Sequence, residues 1–176
     1  MLDEKRLAQE LGEVKQRLQV LEDKEEIRQL LSQYSYNADL SRNDGYIQLF
    51  AKEGTFELWN PDAAVFSGKA EGSAREIFKG HDRIRELLEG PGHQSFTTRC
   101  QHLVDLALKI DVDGNQATAT SYDVLTVRWL GGFGILRCSM RRWAFRRTNG
   151  YWLIERVEAV PIGEPECQEL IPYSNK

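Results

Sequence analysis

Apolar residues recur at helical spacing over the first forty positions. From about residue 96 they alternate at strand spacing instead. Residues 3 to about 41 read as one helix or two continuous helices. No proline interrupts them, and Glu, Lys, Leu, Gln and Arg dominate. Gly12 is the weak point, costing about 1 kcal/mol relative to alanine in a helix interior. Leu7, Leu11, Val14, Leu18 and Leu21 are spaced four, three, four, three. With Leu11 and Leu18 at a, the other three fall at d, Glu10 and Arg17 at g, and Lys15 and Glu22 at e. The charges match in a parallel pair and equally in an antiparallel one. Barely two heptads are present, so this helix either lies against its own domain or a subunit neighbour, or pairs as a genuine coiled coil. From Glu25 the phase changes, and Ile27, Leu30, Leu31, Tyr34 and Ala38 form a new stripe.

Ser41 to Gly45 is a turn cluster, and a short helix opens at Asp44 and ends near Phe50. Thr55 to Trp59 reads as a strand, and Asn60-Pro61-Asp62 as a turn. Residues 64–68 and 75–79 are weaker strand candidates, and His81 to Leu88 is a short amphipathic helix. Four long segments then follow at 98–111, 116–130, 134–147 and 151–160. Asp113-Gly114 and Asn149-Gly150 are hairpin signals, and Gly131-Gly132 joins the middle pair. The order predicts an α+β fold. The N-terminal helices pack into a curved antiparallel sheet, a conical barrel enclosing a pocket where a small ligand would bind. The expected division is a helical extension at 1–22, the conical domain at 23–160 and a C-terminal extension at 161–176.

Strand parity singles out His102. One face of 98–111 reads His102, Val104, Leu106, Leu108, Ile110, apolar except for the histidine. An inward imidazole is either a satisfied core histidine or a general acid–base group. Asp39 borders the apolar stripe of the second helical part, with Tyr36 one turn before it. Its carboxylate either caps the turn at Ser41 to Asp44 or orients a catalytic imidazole. Tyr46, Trp59, Tyr122, Trp129 and Trp143 either line a pocket or fill the core. Arg156 shares parity with Trp152 and Ile154, so it points inward to bind an anion or carbonyl oxygen, or forms an edge salt bridge. Arg141, Arg142, Arg146 and Arg147 form a basic patch, read as solvated, paired or at a subunit interface. His81 and His93 are expected at the surface.

Composition narrows the chemistry. The chain has 176 residues, 41% hydrophobic and 28% charged, which suits one globular domain. A net charge of −4 gives no basic excess for nucleic acid. No apolar run approaches the roughly 20 residues that span a bilayer. The charged N-terminus lacks a signal-peptide stretch, so a cytoplasmic location is expected. Three histidines and three cysteines without CxxC spacing argue against a zinc finger or most histidine metal centres, so no metal or cofactor is expected. GxGxxG, P-loop, HExxH, GxSxG and EF-hand patterns do not occur.

Several segments carry a family likeness: Asp23 to Tyr34; Asp39 to Phe50 followed by Gly54 to Leu58; Phe78-Lys79-Gly80 leading into 81–88; Val112 to Ala119; and Asn149 to Arg156. Together they resemble the SnoaL-like branch of the nuclear transport factor 2-like superfamily, over about residues 23–160. That superfamily includes scytalone dehydratase, hexachlorocyclohexane dehydrochlorinase, bile-acid dehydratase, ketosteroid isomerase, polyketide cyclases and ring-hydroxylating dioxygenase small subunits. Its lyases use a histidine on the strand opening the meander and an aspartate ending the first helix, where His102 and Asp39 fall. Tyr36 is near a helix tyrosine that some dehydratases use. Trp59 or Leu58 stands where a dehydratase has a strand tyrosine, and no equivalent of a second histidine is found. The resemblance implies a cofactor-independent lyase or isomerase acting on a small hydrophobic, cyclic or polyketide-like molecule. The catalytic pair would be His102 and Asp39, with Tyr36, Tyr46, Trp59, Tyr122 and Arg156 around the substrate. It also implies a homo-oligomer. The alternatives are a non-catalytic binding or assembly protein, or an oxygenase small subunit with a large partner chain.

Overall fold

The computed structural model describes residues 2–59, 75–95, 97–163 and 167. The turn at 60–62, the strand candidate at 64–68 and most of the C-terminal extension lie outside them. The first forty residues form one helix, α1 (Leu2–Asp39), about 57 Å long at 1.5 Å per residue. After it come α2 (Asn43–Gln48), β1 (Phe50–Trp59), β2 (Arg75–Lys79), α3 (Gly80–Glu89) and α4 (Pro91–Gln94). The meander is β3 (Cys100–Asp113), β4 (Gln116–Trp129), β5 (Gly132–Thr148) and β6 (Tyr151–Pro161). Asn149 and Gly150 both have positive φ, 53° and 86°, as the tight β5–β6 turn requires.

The six strands form one curved, unclosed sheet in the order β2-β1-β6-β5-β4-β3. One pairing departs from the expected antiparallel sheet, because β1 runs parallel to β6. The reason is topological. About ninety residues separate these strands, long enough for the crossover that a parallel pair needs. Gly54 lies where β1 passes β6, and a Cβ there would come within 2.9 Å of the Ile154 carbonyl oxygen.

The helices cover one face of this sheet. Ile27, Leu30, Leu31, Tyr34 and Ala38 of α1 are buried there against Phe50, Phe56, Ile84, Trp143, Phe145, Ile154 and Val157. On β4 the odd positions from Ala117 to Val127 face the helices, and the even positions face outward. Two irregularities interrupt β3, between Leu103 and Leu106 and between Leu106 and Lys109. Ala107 lies between them with φ at 52°. Each adds a residue and reverses the parity, so Leu106 turns outward beside Tyr122 while Ile110 returns to the core. Among the described residues no helix is long and apolar enough to cross a membrane.

Candidate functional site

The end of α1 and the start of β3 meet across the helix-covered face. Ser41 ends the helix with φ at 55°, and its hydroxyl bonds that of Thr97, just ahead of β3. Asp39 is the last residue of α1. There the negative end of the helix dipole disfavours a carboxylate unless donors face it. His102 supplies two. Its backbone N–H donates to Asp39 Oδ1 at 2.9 Å, and its ring Nδ1 lies 2.7 Å from the same oxygen. The His102 side chain retains 8% of its accessible surface and Asp39 17%, so the pair is sheltered yet reachable. The carboxylate therefore goes to the imidazole and not to the turn after the helix.

Three further groups surround this pair. His93, in α4, bonds the Leu88 carbonyl through Nδ1 at 3.0 Å. Burial, then the neighbouring His102, pulls its pKa down from the usual histidine value. The Cys100 thiol is pushed up to about 11 by burial and by the Asp39 charge. The ligand atoms of Asp39, Cys100 and His102 lie within 4.8 Å of one another. Asp39 and His102 already bond each other, so the direct contact in this group is the carboxylate–imidazole pair. In iodoacetamide labelling followed by mass spectrometry, exposed Cys138 should react well before half-buried Cys100. Equal rates would contradict this environment.

Asp123 is the third group. It is fully buried on β4, and Arg141 Nη2 and Arg137 Nη2 each donate to its Oδ2 at 3.1 Å. Burial pushes its pKa up, but Arg141, Arg137 and His102 together outweigh that and hold it below the usual carboxylate value. Arg141 Nη1 also donates to the Tyr34 hydroxyl at 2.6 Å, and its guanidinium lies over the Tyr34 and Trp143 rings. Tyr46 packs on Tyr34 at 4.6 Å between ring centroids. Burial and Tyr34 hold its hydroxyl well above 10, hence protonated. Among the described residues, Asp123 Oδ1 and the buried Ser139 Oγ have no protein hydrogen-bond partner.

Of the residues expected around a substrate, the structure brings only Tyr46 to this face. Tyr36 is 58% exposed, because its angular position on α1 lies far from that of Tyr34. Tyr122 has the outward parity of β4 and is 45% exposed. Trp59 also faces outward, donating Nε1–H to Glu158 Oε1 at 3.2 Å. Arg156 is turned outward by an irregularity in β6 between Ile154 and Arg156. It pairs with Glu57 at 2.7 Å, so the salt bridge replaces the inward reading. His81 and His93 are half-buried, not exposed, and His81 Nε2 bonds the Phe50 carbonyl. The basic stretch of β5 divides by face: Arg141 is buried, and Arg142, Arg146 and Arg147 pair with Glu158, Glu155 and Asp23. Asp123, Arg141 and Tyr34 were not singled out for function from sequence. Strand parity, which singled out His102, also reaches Asp123 on the mostly apolar face of β4, but it does not mark Arg141, whose face of β5 also carries Arg137, Ser139 and Arg147.

The SnoaL-like domain profile matches residues 19–158, most of the chain and all of this site. The chain belongs to the SnoaL-like family. Among solved structures, this SnoaL-like chain resembles a nuclear transport factor 2-like protein with a cystatin-like fold from Novosphingobium aromaticivorans. They are 29% identical with a TM-score of 0.76, over 91% of this chain and 96% of that one. A protein of the same organism provisionally assigned as a scytalone dehydratase gives 20% identity and a TM-score of 0.62, over 82% and 95%. Another, provisionally assigned as an aromatic ring hydroxylase, gives 19% and 0.60, over 82% and 92%. These last two share the fold, and at that identity nothing more follows. No curated protein matches the SnoaL-like chain.

Proposed function

We propose that this SnoaL-like domain is a cofactor-independent lyase or isomerase of the dehydratase or cyclase type. Its substrate would be a small hydrophobic molecule, cyclic or polyketide-like. One observation carries the reading: a single Asp39 oxygen holds both the backbone N–H and the ring Nδ1 of His102. That contact keeps the proton on Nδ1 and leaves Nε2 free as a base. His102 would take a proton from a carbon next to a carbonyl, and Asp39 would stabilise the imidazolium. The imidazolium then returns the proton to a departing hydroxyl, which eliminates water, or to another carbon, which isomerises the substrate.

The buried polar array supports this chemistry. Arg141 donates to the Tyr34 oxygen, and the buried cation held there would favour a developing oxyanion by its charge. Asp123 Oδ1 and Ser139 Oγ suit a substrate bearing a hydroxyl or carbonyl group.

The test is proton exchange. The protein is incubated in D₂O with a panel of cyclic ketones and β-hydroxyketones, and loss of the α-proton signal is followed by NMR. The wild type should exchange at least one of these compounds. His102→Gln should lower that rate by about 10²–10⁴-fold with the thermal midpoint retained. Equal exchange by the two proteins would remove His102 from the reaction. Binding without exchange would favour the non-catalytic alternative.

A further inference from the structure

The N-terminal half of α1 carries an apolar seam that its own domain does not cover. Every described side chain from Glu4 to Gln19 is exposed. Leu7, Leu11, Val14, Leu18 and Leu21 remain 52–67% exposed. At about 100° per residue, this seam and the buried stripe Ile27, Leu30, Leu31, Tyr34 and Ala38 lie roughly 165° apart around one continuous helix. The change is abrupt, since Leu21 is exposed while Asp23 is buried against Arg147. The seam thus faces away from the sheet.

We propose that the seam pairs with the same seam of a second copy of this chain, as a parallel two-stranded coiled coil. This rests on observations separate from the catalytic reading. The charges flanking the seam are complementary to their own copy: Glu10 meets the partner's Lys15, and Arg17 meets the partner's Glu22. The apolar layers choose the direction. A parallel pair sets all five apolar residues against their counterparts. An antiparallel pair, which matches a with d, leaves either Leu21 opposite Glu4 or Leu7 opposite Glu25. Beyond Leu21 the same positions hold Glu25, Arg28 and Ser32, so the seam ends where α1 enters the domain. Because each sheet lies on the far side of its helix, two domains can flank the pair.

Sedimentation equilibrium on the full chain tests this. The wild type should have the mass of two chains, and Leu11→Glu/Leu18→Glu that of one, with its thermal unfolding still cooperative. A monomeric wild type, a mass of three or more chains, or a dimeric double variant would overturn the proposal. Two charge swaps test direction. Glu10→Lys/Lys15→Glu preserves complementarity only in the parallel pair, and Glu10→Lys/Arg17→Glu only in the antiparallel one. Both lose the bond of Arg6 to Glu10, so that effect cancels. The first should dimerise like the wild type, and the second roughly tenfold more weakly. The reverse order, or no difference, would overturn the parallel arrangement.

Discussion

Truncating Asp39 to alanine should lower turnover by about 10³–10⁴-fold, measured on any substrate that passes the exchange test. The carboxylate has three tasks at once. It holds the ring through Nδ1 and the strand start through the His102 backbone N–H, and in the proposed mechanism it would oppose the positive charge that the ring acquires. Alanine abolishes all three. Asparagine separates them, because one Oδ1 accepts both bonds and an amide oxygen can do the same. Asp39→Asn should therefore keep the geometry, lose only the charge, and fall between wild type and alanine. An asparagine variant as inactive as alanine would mean that charge alone matters. Full activity in the alanine variant would remove Asp39 from the mechanism.

Arg141→Met should have the largest effect on stability, about 3–5 kcal/mol. The guanidinium is buried between Tyr34 and Asp123. Its loss leaves Asp123 with Arg137 alone. For a chain of this size that is a fall of roughly 6–20 °C in thermal midpoint. Replacing both partners, as Arg141→Met/Asp123→Leu, should recover much of the loss, because no buried charge is then left uncompensated. The pH dependence has a definite sign. In the wild type the Asp123 pKa lies below its unfolded value. Its contribution is present above about pH 4 and is lost as pH falls through the lower folded value. Without Arg141, burial pushes the Asp123 pKa upward, so the ionised carboxylate becomes a liability. The penalty of the substitution should then be smaller at pH 3 than at pH 7, as urea denaturation at the two values would measure. An equal penalty would show that Arg141 contributes packing and not charge.

Local periodicity made much of this molecule legible. The stripe Ile27 to Ala38, the hairpin turns and the four-strand meander follow from spacing and turn chemistry within about fifteen residues. His102 was legible because β3 is regular at its start. Arg156 was not, because one extra residue in β6 reverses the parity there, and no sequence pattern marks it. Leu106 was misplaced for the same reason. Asp123 was readable in principle. A carboxylate sits among the mostly apolar odd positions of β4, but Arg141 shares its face of β5 with Arg137, Ser139 and Arg147 and looks unremarkable without its partner. Nor does spacing show that one Asp39 oxygen serves two donors, since that depends on the distance between a helix end and a strand start 63 positions apart.

The groups around His102 have a further consequence. Asp39 and Asp123 carry two negative charges, and Arg137 and Arg141 carry two positive ones. With the imidazole neutral, the assembly is electrically balanced. For the proposed substrate, a neutral molecule would keep this balance, whereas a charged one would upset it in a buried setting. Moving a proton from substrate to imidazole creates a cation beside an anion and leaves the total unchanged. The proposed reaction should therefore be nearly indifferent to salt, and would select against ions through charge balance.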